Sequence, residues 1–238
     1  MTAQQLRNEL HALAGTGSAA HQGSAAYTGS SHQLLAIATP DLRRLARDWV
    51  RAHRSESPEA ILQVLDDLFA GRLHDEKTLA ALILAYAAPA RAAATPRRVD
   101  AWLGDLVGWA QVDSLCSNVF KAEEFLADWP AWSAWLRRLA ADDNINKRRA
   151  ALVLLTGPVR YSDDPRIVDA SFEIIDRLRG EKPILITKAI SWLLRNLILR
   201  HRAAVIGYVA KNRASLPAIA VRELSAKLET GRKTPKRR

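Results

Sequence analysis

The sequence predicts an all-α protein built from many short helices. Three observations carry that prediction. Ala, Leu and Arg dominate the 238 residues, and all three are strong helix formers. Alternating runs of β-branched residues are nearly absent, so a sheet has nothing to be built from. Ser/Thr-Pro start signals recur along the chain, and proline just inside a helix start costs no hydrogen bond.

The elements follow in order. Residues 2–14 form the first helix. Thr39-Pro40-Asp41 opens the second, with Thr39 as N-cap and Pro40 at the first position, and it runs to about His53. Ser57-Pro58-Glu59 repeats the signal for residues 58–70. Asp75 opens a helix through about Ala87, and Thr95-Pro96 opens another. Further helices are predicted over 114–126, 131–140, 146–156, 165–179, 184–200, 202–212 and 216–228. Residues 15–31 are small and polar and read as a loop holding one aromatic, Tyr27; residues 87–96 read as a turn or short linker. Successive helix pairs lie about 35–40 residues apart, the scale of HEAT-type repeats, without a clean sequence repeat. A compact irregular bundle is the alternative. The expected architecture is an αα-superhelix of HEAT-like repeats with a concave basic surface. One domain is expected over 1–229, with a basic, disordered tail over 230–238.

Composition narrows the function classes. Lys and Arg number 35 against 25 Asp and Glu, a formal charge of +10. Five of those charges fall in the last nine residues, TGRKTPKRR, so the body carries only +5. A basic chain favours an anionic partner, and nucleic acid is the commonest. One cysteine, Cys116, excludes a disulfide framework and a cysteine-based zinc site, and fits a reducing cytosol. No apolar run is long enough for a membrane span, and the amphipathic N-terminus has no signal-peptide core. The histidines form no HxxxH or HExxH pair, and no GxxxxGK[ST], GxGxxG or GxSxG motif occurs. No metal or cofactor is expected.

Three segments carry candidate chemistry. In ILITKAISWLLRNLILR, Trp192 lies off the apolar stripe, and its same-face neighbours are Lys188 and Arg195. Cations that meet phosphates beside an indole that meets sugar or base suit nucleic acid; a half-buried tryptophan with snorkelling neighbours is the alternative. In GWAQVDSLCSNVF, Trp109 and Asp113 precede the predicted helix at 114–126, where Asp113 is a plausible N-cap. If that turn is helical, the two share a face, and a carboxylate beside an aromatic surface suits a developing cation or an oriented water. In DDNINKRRAALVL, Asp143 or Asn144 caps a helix whose first turns hold Lys147, Arg148 and Arg149. These cations read either as an exposed basic face or as a phosphate clamp at a helix N-terminus.

These residues, taken in order, resemble the AlkD-type DNA alkylation repair family. The resemblance is carried by Trp109-x-x-x-Asp113-Ser114, by Asp143-Asn144-Ile145 with Arg149-Ala150-Ala151, and by Lys188-Ala189-Ile190-x-Trp192-x-Leu194-Arg195. Tyr27 followed by Leu35-x-Ile37-x-Thr39-Pro40-x-x-Arg43 is similar to the family's N-terminal signature, and the match spans roughly residues 25–228. The resemblance implies a solenoid of HEAT-like pairs and a monofunctional DNA glycosylase. Such an enzyme excises cationic N3- and N7-alkylpurines from double-stranded DNA without a base-flipping pocket. It implies Asp113, Trp109 and Trp192 as catalytic residues, and Arg149, Arg195, Arg148, Lys188 and Tyr27 as DNA-binding residues. It also implies a monomer of the cytoplasm, associated with the nucleoid when on DNA, with no membrane partner. Ala36 and Gly108 depart from the family pattern, which has Gly at the first and, in some relatives, an aromatic at the second. A catalytically inactive protein binding branched or distorted DNA is the alternative, and a protein-interaction scaffold is a further one.

Overall fold

The computed structural model describes residues 2–16, 25–117 and 119–234, and the described chain is all-helical. The only β contact among the described residues is an isolated parallel bridge between Gln33 and Leu73. The chain divides into two compact units, Met1–Val119 and Phe120–Arg238.

The first unit holds α1 (Ala3–Ala12), α2 (Ala25–Thr28), α3 (Thr39–Ala52), α4 (Pro58–Phe69), α5 (His74–Tyr86), α6 (Ala88–Ala93), α7 (Pro96–Gly104) and α8 (Trp109–Cys116). Helix α5 is its centre, packed by α1, α3, α4, α6 and α8. A central helix must be apolar on most sides, and Leu79, Ala80, Ala81, Ile83 and Leu84 of α5 are all buried. Its N-terminal turn carries buried charge that ties neighbours together. Asp75 accepts from Leu35 N–H at 2.7 Å. Glu76 accepts from Leu73 N–H at 2.9 Å and pairs with Arg7. Lys77 donates to the Phe69 carbonyl.

The second unit holds α9 (Ala122–Ala127), α10 (Trp129–Leu139), α11 (Ile145–Thr156), α12 (Pro158–Tyr161), α13 (Pro165–Leu178), α14 (Ile184–Asn212) and α15 (Ala218–Thr230). Helix α11 is buried continuously from Arg149 to Thr156 and packs on α10, α12, α13 and α14. Helix α14 is two helices joined at a kink, where His201 leaves helical geometry (φ −117°, ψ 36°). The sequence expectation of separate helices over 184–200 and 202–212 corresponds to the two arms of this kink.

The Pro-containing starts form as expected where a side chain caps them. Ser57 accepts from Ala60 N–H at 3.1 Å and Thr95 from Arg98 N–H at 3.3 Å. Four expectations are corrected. The cap of α3 is Ala38, with no side-chain bond, because Thr39 is already helical. Residues 88–93 are helical rather than a linker. A turn of helix, α2, forms inside the predicted 15–31 loop, whose residues 17–24 lie outside the described residues. The predicted helix at 114–126 is two helices, α8 and α9, with residues 117–121 between them. Of the tail, Thr230 ends α15, 231–234 follow as bends, and 235–238 lie outside the described residues. No helix among the described residues is long and apolar enough to cross a membrane.

Candidate functional site

The start of α8 sets how Trp109 and Asp113 are placed. Helix α8 starts at Trp109, so Asp113 is its fifth residue and not an N-cap. Residues four apart on a helix share a face, and Trp109 and Asp113 both line one open groove of about 860 Å³ in the first unit. Tyr27, Arg43, Arg47 and Tyr86 line the same groove. Tyr27 is 67 % exposed, whereas Trp109 and Asp113 are half-buried.

Trp109 is held rather than free. Its indole N–H donates to the Tyr27 carbonyl at 2.6 Å. The two rings meet edge to face, with centroids 5.5 Å apart. The approach of α2 that makes this possible rests on Gly108, the residue before Trp109. Gly108 has φ +82°, and a Cβ there would lie 2.2 Å from the Gly29 carbonyl oxygen. That collision is with backbone, which cannot swing aside. Gly108, a departure from the family pattern in sequence, is therefore what lets α2 reach α8. Ala36, the other departure, takes φ +55°, so alanine holds a left-handed conformation that glycine adopts more easily.

Beneath α8 lies a polar cluster that no sequence motif announces. Gln111 is buried. Its amide N–H donates to Ser30 Oγ at 3.0 Å, and Nε2 sits 3.0 Å from His32 Nδ1 and 3.2 Å from His74 Nδ1. Its carbonyl accepts from Val107 N–H at 2.8 Å. Burial pushes both imidazoles below their ordinary pKa, with nearby Lys77 adding to the effect at His32. The folded protein thus keeps both rings neutral at pH values where the unfolded chain takes up protons. Their contribution to stability is complete above the unfolded value of 6.5 and is lost as pH falls below it. Urea unfolding at a series of pH values is expected to show stability falling from that point downward, with a shallower fall in His74→Asn. A profile as steep in the variant as in the wild type contradicts this assignment.

The second unit holds the remaining predicted residues. On α14, Lys188 is exposed, and Trp192 and Arg195 are partly exposed, which agrees with Trp192 lying off the apolar stripe. Arg195 is tethered: Nε donates to Ser191 Oγ at 3.3 Å and lies 3.4 Å from Glu223 Oε2 on α15. Burial lowers its pKa, and Glu223 opposes that shift. Ser191 Oγ donates to the same Glu223 oxygen at 2.6 Å, and Lys233 Nζ lies 3.3 Å from the other.

Each cation of the basic cluster on α11 has a protein partner, and Arg149 is buried. Asn144 caps the helix, accepting from Asn146 N–H at 2.9 Å. Lys147 lies 3.7 Å from Asp142. Arg148 makes a forked pair with Glu181, at 2.8 and 3.3 Å, and donates to the Asp142 and Asp143 carbonyls. Arg149 is only 6 % exposed and donates to the Leu185 carbonyl at 2.5 Å, joining α11 to the start of α14. The cations that oppose the helix dipole are thus neutralised or bonded locally. Arg149→Ala is expected to lower unfolding stability by about 2 kcal/mol without DNA present, because it removes a buried guanidinium and its charge-assisted bond to the Leu185 carbonyl. Chemical denaturation checks this; an unchanged midpoint and slope would leave Arg149 free for a purely DNA-facing role.

Sequence reading missed Arg47 and Tyr86. The Arg47 guanidinium lies over the Tyr86 ring at 5.9 Å from its centroid. The four-residue step from Arg43 to Arg47 was the available signal. Among the described residues, no group of three or more His, Cys, Asp or Glu side chains is placed to hold a metal ion.

Fold and groove together define an all-helical protein whose first unit presents aromatic rings, arginines and carboxylates to one open groove. The chain belongs to the DNA alkylation repair enzyme family, whose model matches residues 6–228. No curated protein matches it. Family membership makes DNA alkylation repair its field of action and DNA its indicated partner.

Proposed function

We propose that the protein is a monofunctional DNA glycosylase that hydrolyses the N-glycosidic bond of cationic N3- and N7-alkylpurines in double-stranded DNA. The observation that carries the reading is the placement of Asp113 one helical turn from Trp109, both on the groove that Tyr27 rims. Alkylation puts positive charge on the purine. When the C1′–N bond breaks, its electron pair leaves with the base, which departs neutral, and the sugar becomes oxocarbenium-like. A carboxylate facing that sugar stabilises the developing charge. Water then adds its oxygen to C1′ and passes a proton to the carboxylate. The Trp109 indole offers a π face to the cationic sugar, and its bond to the Tyr27 carbonyl fixes the orientation of that face.

The groove is open, which supports chemistry at the sugar without engulfing the base. Trp192 is assigned as a further catalytic residue, and Lys188, Arg195, Arg148 and Arg149 as DNA contacts of the second unit; Arg148 and Arg149 also brace the fold of that unit. The protein is expected to act as a monomer, without a cofactor, in the cytoplasm and on the nucleoid. Incubation with methylated duplex DNA, followed by chromatography of the soluble fraction, tests the reading. Release of 3-methyladenine and 7-methylguanine above the spontaneous rate is expected. DNA binding without release, and with preference for junctions, would replace it with a non-catalytic role.

A further inference from the structure

We infer that Arg43 and Arg47, with Tyr86 beneath the second, form a two-phosphate rail on the groove that holds Asp113. The inference rests on the DNA reading above. Both arginines lie on α3, four residues apart, a spacing that puts side chains on one helix face about 6 Å apart. Both are exposed and both line the groove with Asp113, Trp109 and Tyr27. Neither forms an ion pair with a carboxylate among the described residues. Their neighbours on α3 behave differently: Arg44 pairs with Asp41 at 2.7 Å and Arg51 lies 3.6 Å from Asp48. The contrast extends to Arg148, Arg149 and Arg195, whose heads are held by protein partners.

The Tyr86 ring gives Arg47 a surface to lie on while its N–H groups stay available. A guanidinium supported on an aromatic face loses less freedom when it meets a phosphate, and its planar fork suits the phosphate oxygens. The segment between α2 and α3 is fixed to α5 by the Asp75 bond to Leu35 N–H, so the strip and α8 are anchored to one helix. Cations one turn apart, on a groove that a carboxylate also lines, suit the two phosphates that flank a single sugar. The sugar then falls to Asp113 and the phosphates to the arginines.

The test is the salt dependence of binding to an undamaged, fluorescently labelled duplex, measured by anisotropy with the full chain. Each phosphate contact contributes about 0.9 to the slope of log K against log salt. Arg43→Ala and Arg47→Ala are each expected to reduce the slope by about 0.9, and the double variant by about 1.8. Arg47→Lys should restore most of the slope. Arg97→Ala removes the same charge from an exposed site on a different pocket, beside Asp66 and Trp102, and should leave the slope unchanged. An unaltered slope in the double variant overturns the rail, as does an equal loss in Arg97→Ala, which would reveal a net-charge effect. A wild-type protein that shows no salt-sensitive binding overturns both the rail and the DNA reading. Wild-type binding that responds to Arg43 and Arg47 without any base release leaves the rail standing and removes only the glycosylase.

Discussion

Asp113→Asn is expected to slow base excision by about 10²–10³-fold, the cost of removing one preorganised charge-stabilising group, while lesion DNA is still bound. The substitution keeps the shape of the side chain and removes its charge. Hydrogen-bonding capacity persists, so a fall in rate reports charge at the sugar and not a collapsed groove. Single-turnover excision and equilibrium binding, measured on one duplex, separate the two quantities. A rate within threefold of wild type would reject the carboxylate's role. Because Asp113 sits inside α8 and does not cap it, loss of a helix cap is excluded as a competing cause of any change.

Gly108→Ala is expected to destabilise the protein by about 3 kcal/mol, combining a strained positive φ with an overpacked contact. The new Cβ would lie 2.2 Å from the Gly29 carbonyl oxygen and 2.6 Å from that of Thr28. The chain relieves this by moving α2 away, which breaks the Trp109–Tyr27 bond. Urea denaturation gives the stability, and excision rates give the consequence for the site. Gly104→Ala is the control: a Cβ there meets nothing within 4 Å, and alanine at the end of α7 is expected to stabilise by about 0.5 kcal/mol. Equal effects at the two positions would refute the packing role given to Gly108.

The helical class was legible because local signals agree with the tertiary result. Ser57, Thr95 and Asn144 cap the helices they precede, and those caps act over two or three residues. The start of α8 was not legible. Its N-cap is a glycine without a side-chain bond, fixed by contact with Gly29, which lies far away in sequence. The spacing of Trp109 and Asp113 was visible, but the helix that gives the spacing its meaning was not. The α11 cluster shows the converse. Lys147, Arg148 and Arg149 read as a basic face or a phosphate clamp, yet Arg148 is held by Glu181, from the segment between α13 and α14, and Arg149 by the Leu185 carbonyl of α14. The Gln111 cluster draws Ser30 and His32 from the segment between α2 and α3 and His74 from α5, and no local pattern marks it. Trp192 was read correctly as off the apolar stripe because helical periodicity alone decides that question.

In this reading the groove lined by α8 serves hydrolysis of a glycosidic bond. The most direct measurement uses a duplex carrying a single 7-methylguanine, in single turnover, with free base and abasic strand quantified together beside a protein-free control. Free 7-methylguanine is expected, with an equal amount of abasic strand whose backbone breaks only on alkali treatment, at a rate well above spontaneous loss. Base release no faster than the control, or repair with the methyl group removed and the guanine still in the strand, would contradict it.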